Sequence, residues 1–236
     1  MRRQILPALM AVLLAGCNLS PPSLRSLNTV GGARVVTFAQ TPLARSAPTL
    51  SLNQGSNWKA GNLAIAAIVT YNGSGPSITA PRGWTLIRDD ISPTTRQTLY
   101  WHVVEPCDPI SEVWSFSEPV DSQAVVLLLD KYAAVKAIDA SSGNSGGGQI
   151  LTANSLTTRN DGDLILAFYA TDFVGTSPGH DIPPNMTKIV DLEAAPHEYW
   201  VVAAYQSGRG RTVDLTCNAA QVFRWVAAQV AIKRAT

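Results

Sequence analysis

Beyond residue 33 the apolar positions of this chain recur at every second residue or fill short runs, and sustained helical spacing is absent. Leu99, Trp101 and Val103 share one face of an extended segment, with Tyr100, His102 and Val104 on the other. Val213, Leu215 and Cys217 share a face opposite Asp214, Thr216 and Asn218. This alternation predicts half-buried strands. Two runs, Leu63 to Val69 and Ala124 to Leu129, are apolar at nearly every position and predict central strands covered on both sides. Val35, Val36 and Phe38 mark a first strand over residues 34–39. Turn residues punctuate the rest, at Asn72-Gly73-Ser74-Gly75, Ser141 to Gly148, Asp161-Gly162 and Gly208-Arg209-Gly210. The pattern predicts an all-β fold, a jelly-roll-like antiparallel β-sandwich.

The same pattern occurs twice. Gly61-Asn62-Leu63 pairs with Gly162-Asp163-Leu164, Pro81 to Ile87 with Pro184 to Ile189, and Leu99-Tyr100-Trp101 with Glu198-Tyr199-Trp200. Trp114-Ser115-Phe116 pairs with Leu215-Thr216-Cys217, and Ala124 to Leu127 with Trp225 to Ala228. A repeat of roughly 100 residues in two copies predicts two similar half-sheets rather than a solenoid. The halves are 33–135 and 149–236 within a domain of 33–236. Gly143-Asn144-Ser145-Gly146-Gly147-Gly148 reads as a flexible connector between them, since it lacks the Gly-Lys-Ser/Thr ending of a phosphate loop.

The N-terminal region differs. Arg2 and Arg3 precede an apolar stretch from Ile5 to Leu14, too short to span a bilayer as a helix. Leu14-Ala15-Gly16-Cys17 closes it. This resembles the lipobox of bacterial lipoproteins. The resemblance implies a signal peptide over 1–16, cleavage before Cys17 and a diacylglycerol thioether with further acyl chains, such as palmitate, on that residue. Each buried CH₂ adds ~0.8 kcal/mol, so several chains together hold a protein on a membrane. Residues 17–32 read as the lipidated cysteine and a flexible tether. Asn18 in place of Asp favours the outer membrane of a Gram-negative host, and otherwise the outer face of the cell membrane.

Composition narrows the partners. A net charge of +1 leaves no basic footprint for nucleic acid. Of three cysteines, Cys17 takes lipid and Cys107 and Cys217 remain. In an exported, oxidising setting these two are expected to pair as a disulfide tying a loop of the first half to a strand of the second. No histidine stands at metal-ligand spacing from either.

Residues 33–236 resemble β-sandwich modules of bacterial secreted and phage tail-associated proteins. The carriers are the paired Gly-Asx-Leu openings, Pro81-Arg82-Gly83-Trp84-Thr85, the Tyr-Trp strands and the closing strand Phe223 to Ile232. The resemblance implies a jelly-roll-like or concanavalin-like accessory module and brings no catalytic residues.

The residues themselves offer little reaction chemistry. His102, His180 and His197 lie in no nucleophile or metal motif. Asp89 and Asp90 are adjacent on a strand and so face opposite ways, which excludes them as a paired acid and base. Asp161 and Asp163 are weak candidates for a structural calcium. Trp84, Trp101, Trp114 and Trp225 fall at inward positions and are assigned to the core. Trp58, Tyr100, His102 and Tyr199 form the candidate ligand platform, by analogy with aromatic stacking on sugar rings. The expected function is a membrane-anchored, non-catalytic module that binds glycan or protein and needs no cofactor. The alternatives are an assembly component of an envelope or appendage complex and a polysaccharide-active enzyme.

Overall fold

The apolar run after Asn62 forms the centre of a sheet. The computed structural model describes residues 32–55, 57–71, 75–172, 180–195 and 198–235, with the backbone alone at 180, 192–195, 198–204, 206–207 and 219–223. The lipobox, Cys17, most of the tether and His197 lie outside the described residues. The first sheet contains β1 (Arg34–Gln40), β2 (Ala44–Asn53), β3 (Leu63–Tyr71), β4 (Ile78–Thr79), β5 (Thr85–Ile91), β6 (Thr95–Val103) and β7 (Ser111–Asp130). Its antiparallel order is β1-β7-β3-β6-β5, with β2 and β4 also on β7. All of β3 is buried because alternate residues feed two cores. Leu63, Ile65, Ala67, Val69 and Tyr71 face the second sheet, while Ala64, Ala66 and Ile68 face outward into a separate cluster.

The second sheet is drawn from β8 (Ile138–Ala153), β10 (Asp163–Asp172), β11 (His180–Asp181), β12 (Thr187–Ala195), β13 (Glu198–Ser207) and β15 (Leu215–Ile232). Beside it, β9 (Thr157–Thr158) pairs with β14 (Gly210–Arg211). The order β8-β15-β10-β13-β12, with β11 also on β15, repeats that of the first sheet, and β8 does the work of β1 and β2 together. A single apolar interior joins Leu127 and Leu129 of β7 to Leu166 and Phe168 of β10 and to Val226, Ala228, Val230 and Ile232 of β15. The two halves therefore form one sandwich, and each sheet is contiguous in sequence, which refines the jelly-roll expectation.

The longest strands bend and close over the outer faces. Residues 121–129 of β7 pair with β3, whereas residues 111–116 pair with β2 and β4, and β2 follows the bend as far as Val120 and Ser122. This turns Trp114 and Phe116 onto the outer face of the first sheet, against Ala66, Tyr100 and Val126. In the second sheet Leu215 and Cys217 of β15 and Leu151 of β8 cover Ile165, Ala167 and Tyr169 in the same way.

The glycine-rich segment is not a connector. Residues 143–148 lie within β8 and pair with residues 223–228 of β15. Close approach requires glycine there: a Cβ at Gly146 would stand 2.6 Å from the Trp225 ring, and one at Gly143 would overlap the Arg88 guanidinium. The connection between the sheets is 131–137, so the second half begins at β8 rather than at residue 149.

Strand register also adjusts the repeat. Ala64 pairs with His102, and its counterpart Ile165 pairs with Tyr205. Thr171 pairs with Tyr199, whereas its counterpart Thr70 pairs with Arg96. Tyr199 thus matches Arg96 and not Tyr100. Leu50 pairs with Trp114 and Leu151 with Cys217, so Cys217 stands where Trp114 does, not where Phe116 does. One turn is matched closely. Trp84 N–H donates to Pro81 O and Met186 N–H to Pro183 O, each at 3.3 Å. Gly83 (φ 90°) and Asn185 (φ 64°) fill the left-handed position of these turns, which glycine and asparagine adopt most readily.

Candidate functional site

The first half carries a cleft of about 590 Å³ with a mixed polar and apolar lining. Three segments build it: the Pro81–Gly83 turn before β5, the loop 105–110 after β6, and the start of β7. His102 lies near the end of β6 with both ring nitrogens engaged. Nδ1 is 3.1 Å from Gly83 O and Nε2 is 2.7 Å from Asp108 Oδ2. Asp108 Oδ2 also accepts the Glu105 backbone N–H at 2.7 Å, which folds the loop back onto the histidine.

Glu112 lines the same cleft and is 2% exposed. Along β7 it is in phase with Trp114 and Phe116, so the strand turns it to the buried side. Burial pushes its carboxyl above the ordinary range and the Asp108 charge adds to this, while Trp84, His102 and Gln54 pull it back. Gln54 Nε2 donates to Glu112 Oε1 at 3.4 Å. The Trp84 indole N–H influences the carboxyl without reaching hydrogen-bond geometry. Beneath the cleft Trp84 contacts His102 with ring centres 5.4 Å apart and meets Trp114 edge-on at 5.3 Å.

The expected aromatic platform is not open. Tyr100 and His102 share the outer face of β6, as their alternation predicts, but are only 5% exposed each because the bent β7 lies over them. Trp58 packs half-buried against the same cluster. Tyr199 lies in β13 on the other sheet, and His180 pairs through its backbone with Ala219. Asp89 binds Arg96 and Thr98 while Asp90 binds Arg88, consistent with opposite faces. The fold gives Asp161 and Asp163 different surroundings. Asp161 is exposed and accepts the Arg209 backbone N–H at 2.6 Å, whereas Asp163 is fully buried near Asp139. Among the described residues no cluster of three or more His, Cys, Asp or Glu side chains is arranged to hold a metal.

Cys107 and Cys217 are both free thiols, which overturns the expected disulfide. Cys107 is exposed in the loop over the first sheet, and Cys217 is buried under the outer layer of the second. Cys107 lines the cleft of the first half and Cys217 packs within the outer cluster of the second, whereas a disulfide needs Cα atoms within about 7 Å of each other. Burial pushes the Cys217 thiol up to about 12. A thiol-reactive dye is therefore expected to modify Cys107 rapidly in the native protein and Cys217 only after unfolding. A mass change on reduction, with neither thiol reactive, would restore the bridge.

Sequence reasoning missed Asp108, Glu112 and Arg82 as members of a site. The usable signal was Glu112, a charged residue on the buried phase of the Glu112-Trp114-Phe116 face. The second half provides an internal comparison. Where the first half has Trp84, His102, Glu112 and Trp114, register places Met186, Tyr205, Leu215 and Cys217. The polar set belongs to one copy alone. Comparison with known protein families, curated proteins and solved structures gave no match.

Proposed function

We propose that this chain is a membrane-anchored, non-catalytic binding module, held by lipid on Cys17, whose cleft takes a glycan. The supporting observation is the asymmetry between the halves. One fold occurs twice, and the first copy carries His102 and Glu112 beside Asp108 where the second has Tyr205 and Leu215. Packing alone does not account for a buried carboxyl there, since Leu215 fills the corresponding place. The cleft has the size of small-ligand sites, which span about 300–1,000 Å³. Its carboxylates and Arg82 suit the hydroxyls of a sugar, and Val113 and the adjacent prolines offer apolar contact.

A glycan array, followed by titration of any hit, tests this. Glu112→Gln and Asp108→Asn are expected to weaken binding by about tenfold or more each, since charged hydrogen bonds contribute about 1.5–3 kcal/mol. Absence of binding to every glycan by the folded wild type would remove the glycan reading. One observation favours polysaccharide cleavage as a second reading: a carboxyl raised by burial and a second carboxylate line one cleft. Release of reducing ends by wild type and its loss in Glu112→Gln would establish that alternative.

A further inference from the structure

Charge is segregated along the sandwich although the whole chain is nearly neutral. The connection 131–137 links the end of β7 to the start of β8 and marks one end of the molecule. Register brings the starts of β1, β3, β5, β8, β10 and β12 and the ends of β6, β13 and β15 to this end. Its segments are 32–34, 57–62, 81–84, 104–113, 130–139, 159–163, 183–186, 208–209 and 233–235. They carry nine Lys and Arg against seven Asp and Glu, a net of +2. The other described residues carry six against ten, a net of −4.

The cations at this end are also accessible. Lys59, Lys131, Lys136, Arg159, Arg209 and Arg234 are exposed and form no ion pair among the described residues. Arg34 and Lys233 are neutralised, by Asp130 and Asp139. Val135, 76% exposed, falls between Lys131 and Lys136 in the sequence of the connection. Arg34 and Lys59 line a further cleft of about 370 Å³. The chain enters the described fold at Gly32, at this same end, with 31 residues before it in sequence.

We propose that this end is an electrostatic docking face for an anionic lipid bilayer. Lipid headgroups would meet the unpaired cations, Val135 would reach the interface, and the acidic remainder would be held away. The orientation rests on the proposed anchor, because a tether arriving at Gly32 brings this end to the membrane first. The charge pattern stands without it.

The test uses the full chain on vesicles of phosphatidylcholine alone or with about one-third phosphatidylglycerol. Amine labelling of Lys59, Lys131 and Lys136, read by mass spectrometry, is expected to fall about threefold or more on the anionic vesicles. Salt at about 0.5 M should restore labelling by screening. An Arg159→Glu, Arg209→Glu, Arg234→Glu variant retains the lysines as reporters and should lose the protection. Equal labelling on both vesicles, or protection unchanged in the folded variant, would overturn the docking face. The mass of the N-terminal peptide separately reports acylation of Cys17. Protection without acylation would remove the anchor and leave the face, while acylation without protection would do the reverse.

Discussion

Trp114→Ala is expected to destabilise the protein by about 3–5 kcal/mol, the range for removing a buried large aromatic side chain. Trp114 is fully buried where β7 folds over the first sheet, packed edge-on against Trp84. Its loss leaves a cavity bounded by two strand layers that cannot both collapse into it. Trp114→Phe should cost much less, because the indole N–H has no hydrogen-bond partner to lose. Urea denaturation of both variants measures the difference. A cost below about 1 kcal/mol for alanine would show that the outer layer is not packed as described. Because Glu112 lies two residues away on the same face, the alanine variant should also loosen the cleft.

Asp163→Asn is expected to stabilise the protein near neutral pH and to do little near pH 4. Asp163 is fully buried, and its carboxyl is pushed up to about 6 from an ordinary 3.8. Burial is the main cause, with the Asp139 charge and a hydrogen bond to Asp139 adding to it and Asn160 and Lys233 opposing. The folded state thus favours the protonated form. Stability present below about pH 4 is lost as pH rises through about 6. A shift of this size corresponds to about 2–3 kcal/mol at most, at about 1.4 kcal/mol per unit. The first half already has asparagine here: Asn62 accepts from Lys59 N–H at 3.1 Å and donates to Leu129 O at 3.4 Å. Unfolding measurements from pH 4 to 8 should show a smaller decline for the variant. Parallel curves would exclude Asp163 as the source.

The cleft shows how far local pattern extends. Tyr100 and His102 are assigned correctly to the face opposite Trp101, because strand alternation is a local property. Whether that face meets solvent depends on β7, which bends within its 20 residues and covers it. Glycine composition suggests a loose connector at 143–148, yet contacts with Trp225 and Arg88 make the same glycines a strand. Cysteine count suggests a bridge, but the fold leaves Cys107 exposed on a loop and buries Cys217 under a strand layer.

Sequence by itself determined the strand character, the central positions of Leu63–Val69 and Ala124–Leu129, and the existence of two similar halves. These follow from residue periodicity and turn chemistry, which act over a few neighbours. Tertiary structure decided that the halves share one interior, that both thiols remain free, and that His102, Asp108 and Glu112 meet at one cleft. Those outcomes depend on strand register and on the bending of long strands over the sheets, which bring together residues that no local pattern connects.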